Sequence, residues 1–363
     1  MKKIAIIGAG VVGATAAYYL SKEEGIELTV FDEGLGQATK AAAGIICPWF
    51  SKRRHKAWYR LARMGADFYT RLLADLEADG METAFYQQSG LILLKKDEAK
   101  LQELLAIGRQ RRQESPLIGE LSIRKRSDDV ANLSGFDYYL WASGAARVDG
   151  ALLVDCLLRS ASVSVVKKKV RLCLLDQGRY QIDHQVFDGL ILASGAWLGE
   201  LLEPLGYQVD VSPQKGQLRD YYFAEPHLTD FPLVMPEGEL DIIPFANGKL
   251  SIGASHENHQ GFDLAVDEAL LQAFEDEALL YFPKLIDAAS KTARVGIRAY
   301  TSDFAPFFGE VPGLPQVYAA SGLGSSGLTT GPLLGKALSQ LVSGHPSLVD
   351  PADYPIKNYI SQE

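Results

Sequence analysis

The sequence predicts a two-lobed α/β protein, one lobe built on a doubly wound parallel sheet and the other on a mixed, largely antiparallel sheet. Three observations carry this. The N-terminal stretch reads strand, glycine turn, helix, strand: the apolar run 4–7 is followed at once by Gly8, Gly10 and Gly13, and a second run, 28–31, ends in Asp32. Two later apolar runs, 187–193 and 316–320, break into the small residues Ser194-Gly195-Ala196 and Ser321-Gly322-Leu323-Gly324, as buried parallel strands do at their carboxyl ends. Between them, 215–218, 240–245 and 249–254 read as short strands, the last two joined by an Asn247-Gly248 hairpin turn. A chain of 363 residues is also long for one core, so two domains are expected.

Taken in order, 51–77 has helical periodicity, with Trp58, Leu61, Ala62, Phe68, Leu72 and Leu76 as its inner face. It opens on Ser51-Lys52-Arg53-Arg54-His55-Lys56, read as a solvated helix end that also suits drawing anions toward a cleft. A strand at 90–94, a charged helix at 97–112 and a helix opening at Asp149-Gly150 follow, then strands at 162–166 and 170–175. The segment 266–281 reads as a helix stopped by Pro283, and 293–301 as a strand carrying Arg298. After the glycine loop at 321–327 comes a last helix, through Val342. His256 and His259 lack a third ligand, so no metal site is expected.

Composition narrows the class. A hydrophobic fraction of 47% with 22% charged residues suits a soluble globular protein, and no apolar run reaches the length of a membrane span. A net charge of −9 argues against nucleic-acid partners, whose phosphates call for a basic surface. Cys47, Cys156 and Cys173 lack C-x-x-C spacing, which points to reduced thiols and a cytoplasmic location. Met1-Lys2-Lys3 before an apolar stretch imitates a secretory leader, but the motif-spaced glycines and the matched second strand favour a retained N-terminus. A homo-oligomer and peripheral membrane association both remain compatible with the sequence.

The glycine spacing has a chemical reading. In G-x-G-x-x-G the first glycine permits the tight turn, the second clears room for a pyrophosphate, and the third lets the helix pack on the strand. The helix N-terminus then offers N–H groups and a positive dipole end to phosphates. Asp32, about twenty residues on, suits a hydrogen bond to an adenosine ribose and disfavours a 2′-phosphate. The ligand is therefore expected to be FAD or NAD rather than NADP, on a Rossmann-like lobe.

With these pieces in place, the sequence resembles the D-amino-acid oxidase and glycine oxidase family of FAD-dependent oxidoreductases. The resemblance rests on IIGAGVVG with VFDE, ATKAAAG, ILASGAW, GIRAYTSDFAPFFGE and AASGLGSSGLTTGPLLGKAL, which occur in the family's order and nearly span the chain. It implies that Gly8, Gly10, Val11, Val12 and Gly13 hold the FAD pyrophosphate and that Asp32, with Glu33, holds the ribose. Thr39, Lys40, Ala42, Ala43 and Gly44 would line the pyrophosphate and flavin side, and Val170, Ala193 and Gly195 would flank the same cofactor. Gly324, Ser325, Ser326, Gly327, Leu328 and Thr329 would offer N–H groups to the flavin's pyrimidine edge, where reduced flavin carries negative charge. Arg298 would clamp the carboxylate of an amino acid, presenting Cα–H to flavin N5 for hydride transfer from the neutral amine. The implied architecture is a discontinuous FAD-binding domain of residues 1–82, 144–206 and 291–363, with a substrate-binding domain of 83–143 and 207–290.

Two departures bear on the substrate. Asp241 stands where glycine oxidases have a tyrosine, and an ionised aspartate there would repel a carboxylate unless it points away or meets a cation. Ser325 replaces an arginine. In the sarcosine oxidase branch a flavin-tethering cysteine falls at position 298, and no cysteine follows Cys173, so FAD is expected to be non-covalent. The implied activity is oxidative deamination of glycine, a D-amino acid or an N-alkyl amino acid. The alternatives are a D-amino-acid dehydrogenase passing electrons to a quinone or carrier, or a flavin-binding protein without turnover.

Overall fold

The computed structural model describes residues 1–52 and 55–362. Its first sheet has six strands in the order Phe307–Glu310, Val317–Ser321, Gly189–Leu192, Lys2–Ile7, Ile26–Asp32 and Val165–Lys167. Every neighbouring pair is parallel except the outermost, where Phe307–Glu310 runs antiparallel to Val317–Ser321. Lys2–Ile7 lies inside this sheet and buries its last four residues, which is why its run is apolar rather than alternating.

The helix Val11–Leu20 buries all ten of its residues and so needs no polar stripe. The helix Gly327–Ser343 comes close enough that a Cβ on Gly335 would lie 2.5 Å from the Val12 carbonyl oxygen. This close crossing brings the starts of both helices to one cavity. The helix Lys56–Ala78 buries the six residues expected of its inner face. It starts later than the pattern suggested, because His55 caps it by accepting the Trp58 N–H at 3.0 Å. Of the basic cluster before it, Lys52 pairs with Glu103 at 2.8 Å on the surface, while Arg53 and Arg54 lie outside the described residues.

The second sheet has eight strands, ordered Ser290–Tyr300, Ser212–Tyr222, Lys249–Gly253, Asp241–Pro244, Leu233–Met235, Leu91–Leu93, Tyr138–Ala142 and Leu121–Lys125. Only the pairing of Leu233–Met235 with Leu91–Leu93 is parallel. The expected hairpin turn is present, with Asn247 and Gly248 both at positive φ (60° and 73°). Alternation assigns the two faces. Ile92, Ile242, Ile252 and Tyr221 pack with Phe274 and Ala278 of the helix Glu268–Tyr281. Leu91, Leu93, Leu140, Leu233 and Ile243 point the other way and join the core of the first lobe. One apolar cluster therefore runs from the first lobe onto the inner face of the second sheet, while the outer face has a core of its own.

One strand departs from the expected grouping. Ser290–Tyr300, placed with the first lobe by the 291–363 boundary, pairs along its whole length with Ser212–Tyr222 of the second sheet. It still touches the first lobe: the Ile297 N–H donates to the Gly36 carbonyl at 2.9 Å, and Gly296 backs directly onto Ala38 and Ala41. As an edge strand it has a free side, which it spends on the loop after Asp32. No helix among the described residues is long and apolar enough to cross a membrane.

Candidate active site

The three motif glycines occupy three different environments. Gly8 has φ +103°, and a Cβ there would lie 2.3 Å from the Ala193 carbonyl oxygen; a Cβ on Gly13 would lie 1.8 Å from the carbonyl oxygen of Gly8 itself. Gly10 is the least enclosed of the three: its would-be Cβ meets no backbone, only the side-chain atom Thr39 Oγ1 at 3.3 Å. The turn, the open approach and the helix–strand contact thus fall in the expected order.

That opening belongs to a cavity of about 360 Å³. Of the residues expected at a cofactor, Gly8, Gly10, Val11, Val12, Asp32, Glu33, Thr39, Val170, Ala193, Gly195, Gly324 and Gly327 line it. Gly13 lies beneath them. Lys40, Ala42 and Gly44 serve the neighbouring framework: the first two carbonyls accept Arg294 Nη1 at 2.9 and 3.2 Å, and Gly44 is pressed onto the backbone of Val148. Ala43 adjoins them, half-buried and outside the cavity lining. In the last glycine loop the Ser325 N–H is already given to Tyr300 Oη at 3.1 Å and the Ser326 N–H to the Leu323 carbonyl at 3.0 Å. Leu328 and Thr329 are buried in the first helical turn, with the Leu328 carbonyl accepting Tyr69 Oη at 2.7 Å. Gly327 therefore stands at the cavity at the head of a helix that carries no side-chain cap.

Trp197, Phe262, Leu264 and Gln37 also line the cavity and escaped the sequence reading. Trp197 was visible at the end of ILASGAW. Phe262 and Leu264 sit in an irregular loop of the other lobe, where no periodicity marks them.

Polar groups complete the cradle. Asp32 accepts the N–H groups of Ala9 and Gly34, each at 2.6 Å, which ties the turn to the second strand. Each carboxylate oxygen keeps a further acceptor position for a ribose hydroxyl. Ser194 Oγ is buried at the cavity wall and has no hydrogen-bond partner among the described residues. An orphaned hydroxyl, an uncapped helix head and a clearing kept open by Gly10 together suit a dinucleotide with its pyrophosphate over the helix starts.

The inner face of the second sheet carries the other candidates. Arg298 is half-buried, and its guanidinium lies across Gly216 of the adjacent strand, where a Cβ would come within 2.4 Å of Nη1. Nη1 donates to Gln214 Oε1 at 3.2 Å and to the Ser255 carbonyl at 2.8 Å. No carboxylate pairs with it among the described residues, and burial holds the guanidinium below its ordinary range. Arg294, on the same face of the same strand, is by contrast ion-paired to Asp220 at 2.8 Å. Asp241 is aligned with Arg294 across the sheet through Gly253 and Leu218. Its carboxyl makes no hydrogen bond among the described residues, and burial pushes it up to about 7. Near neutrality it is about half protonated, so its expected repulsion of a carboxylate is weaker than a surface aspartate's. Burial also pushes the nearby Cys47 thiol up to about 12, leaving it un-ionised.

Fold and cavity define a dinucleotide-binding α/β protein whose second lobe faces the ligand. The family model described as FAD dependent oxidoreductase (DAO) matches residues 3–341, and the chain belongs to that family. It is 39% identical to the oxidoreductase YurR of Bacillus subtilis, over 98% of both chains. It is 29% identical to a glycine oxidase of Pseudomonas aeruginosa, over 97% of this chain and 98% of the relative. A solved iminodiacetate oxidase from Chelativorans sp. BNC1 superposes with a TM-score of 0.91 at 31% identity, covering 97% of this chain and 98% of that one. The protein is an FAD-dependent oxidoreductase of the type that acts on amino or amine donors.

Proposed function

We propose that the protein oxidises the Cα–N bond of a small amino acid: glycine, a D-amino acid or an N-alkyl amino acid. The observation that carries this is Arg298, a desolvated cation whose hydrogen bonds among the described residues go to two neutral oxygens, on the face turned toward the cofactor lobe. A cation in that state is completed by an anionic ligand, and the guanidinium fork suits a carboxylate. The chemistry that FAD supplies when bound is acceptance of a hydride equivalent at its isoalloxazine.

The chain's own part is to bind and orient. Arg298 grips the carboxylate, Gly216 leaves room for its guanidinium, and Gln214 and Ser255 hold it over the sheet face. Asp241, on the same sheet face and raised by burial, repels a bound carboxylate less than an ionised surface aspartate would. The likeness to an iminodiacetate oxidase favours an N-substituted amino acid within the group. FAD is held without a covalent bond, consistent with arginine at 298 and an un-ionised Cys47. The cofactor lobe is assigned to 1–82, 144–206 and the chain after the strand Ser290–Tyr300, and a cytoplasmic location is supported by three free thiols. An anaerobic screen of flavin bleaching over glycine, sarcosine, iminodiacetate, proline and both enantiomers of common amino acids tests the proposal. Bleaching by none of them, in protein loaded with FAD, refutes it.

A further inference from the structure

The walls of the cofactor cavity come mostly from the first lobe, but Phe262 and Leu264 reach in from the second. They belong to the irregular segment between the strand Lys249–Gly253 and the helix Glu268–Tyr281. Both remain open on one side, 39% and 37% exposed, although they border a cavity. The Phe262 ring lies against Trp197, centroids 5.0 Å apart, and Leu264 crowds Gly36, where a Cβ would come within 3.1 Å of Cδ2. Two large apolar side chains left open over a cavity gain by being covered by a flat, apolar-faced ligand.

From Glu257 on, the segment's polar ties to the sheet are to the strand Ser212–Tyr222. At its start Lys215 and Glu257 exchange backbone hydrogen bonds at 3.2 and 2.9 Å, and at its end the Asp267 N–H donates to Gln217 Oε1 at 2.9 Å. Gln214 Nε2 donates to Asn258 Oδ1 at 2.8 Å beside the first tie, and between Asn258 and Asp267 the polar side-chain anchor among the described residues is the ion pair Lys215 Nζ to Asp263 Oδ2 at 2.7 Å. Lys215 is 3% exposed, and its ammonium holds the Asp263 carboxyl below the usual carboxylate range. Asp263 lies between Phe262 and Leu264 in sequence, so the pair fixes the two residues that cover the cavity. Lifting the segment parts a buried ammonium from its nearest carboxylate and leaves Glu257, 4.0 Å away, as its partner.

We infer that residues 259–266 form a strap over the cofactor cavity, hinged at Glu257 and Asn258 and latched by Lys215 and Asp263, and that this strap sets the rate at which FAD leaves. The inference rests on FAD as the resident cofactor and not on the identity of the substrate. It is tested by diluting the holoenzyme and following the rise of free-flavin fluorescence. Asp263→Asn and the double variant Phe262→Ala/Leu264→Ala should each release FAD roughly tenfold faster than wild type, a change of the size usually carried by the dissociation rate. Asp263→Glu should restore most of the slow release, and the thermal midpoint of the Asp263→Asn apoprotein should match that of wild-type apoprotein. Unchanged release in both fast-release candidates overturns the strap. So does faster release accompanied by an equal loss of apoprotein stability, since that marks general loosening. Failure of the wild-type protein to take up FAD would instead sink the cofactor assignment, a distinguishable result.

Discussion

The cofactor cavity and the sheet face bearing Arg298 are built on opposite requirements. The cavity depends on what is missing: side chains at Gly8, Gly10 and Gly13, and a capping group at the head of the helix Gly327–Ser343. Its attraction for an anion comes from backbone N–H groups and dipoles, which cost little to bury. The sheet face depends on what is present: a guanidinium and a carboxyl, both largely withdrawn from solvent and neither in an ion pair among the described residues. The first site should fail when atoms are added, the second when charges are removed.

Adding one methyl should have the largest effect. In Gly13→Ala the new Cβ would meet the Gly8 carbonyl oxygen at 1.8 Å, between a central strand and a fully buried helix, neither free to shift. The variant should purify with less than about a tenth of the wild-type flavin, read as the flavin-to-protein absorbance ratio, because overpacking against backbone has no cheap relaxation. Removing a charge should come next and leave the flavin bound. Arg298→Ala should lower kcat/KM for a carboxylate substrate by roughly 10²–10³-fold, the usual cost of truncating a buried charge-assisted contact. Arg298→Lys should recover only part of this, since an ammonium lacks the planar fork. Equal loss of flavin in both variants would erase the distinction between the two regions.

Asp241 sharpens the comparison through pH. Burial pushes its carboxyl up to about 7 in the folded chain, against an ordinary value of 3.8 when unfolded. The folded state therefore binds more protons across that window, and stability falls as the pH rises from about 4 to about 7. Asp241→Asn should flatten that slope and raise apoprotein stability at about pH 8 by about 2 kcal/mol, the full shift being discounted for partial exposure. Urea unfolding at two pH values measures it; equal slopes in both proteins would contradict the burial argument. The smallest effect should come from Asp149, between the two regions. It caps the helix Gly150–Ser160 by accepting the Ala151 and Leu152 N–H groups at 3.1 Å, and it pairs with Lys249 of the second sheet at 3.0 Å. Asp149→Ala should cost about 1–2 kcal/mol, seen as a modest fall in thermal midpoint, with flavin content unchanged.

Much of the cofactor lobe was legible because its determinants are local. Glycine spacing, the acid at the end of the next strand and the apolar runs all lie within one βαβ unit or one strand–loop–helix, where sterics tie residue type to backbone shape. Helix cores were equally readable: Trp58 to Leu76 kept their predicted inner face. The strand Ser290–Tyr300 was harder, since an edge strand that pairs with one sheet while bracing a loop of the other lobe has a pattern compatible with either. The donors of Ser325 and Ser326 were over-assigned for a related reason: only in three dimensions does the Tyr300 hydroxyl meet the Ser325 N–H.

By itself the sequence determined the glycine turn and following acid that suit a dinucleotide, and that Arg298 would be placed on a strand, because both follow from short-range spacing. The tertiary structure alone decided that Arg298 would make no ion pair among the described residues, that burial would raise the Asp241 carboxyl, and that Phe262 and Leu264 would cross to the other lobe's cavity. Those properties depend on which distant strands pair and in what register, as when Arg298 meets Gln214 across 84 residues of chain. Burial and partner choice are set by the whole packed molecule.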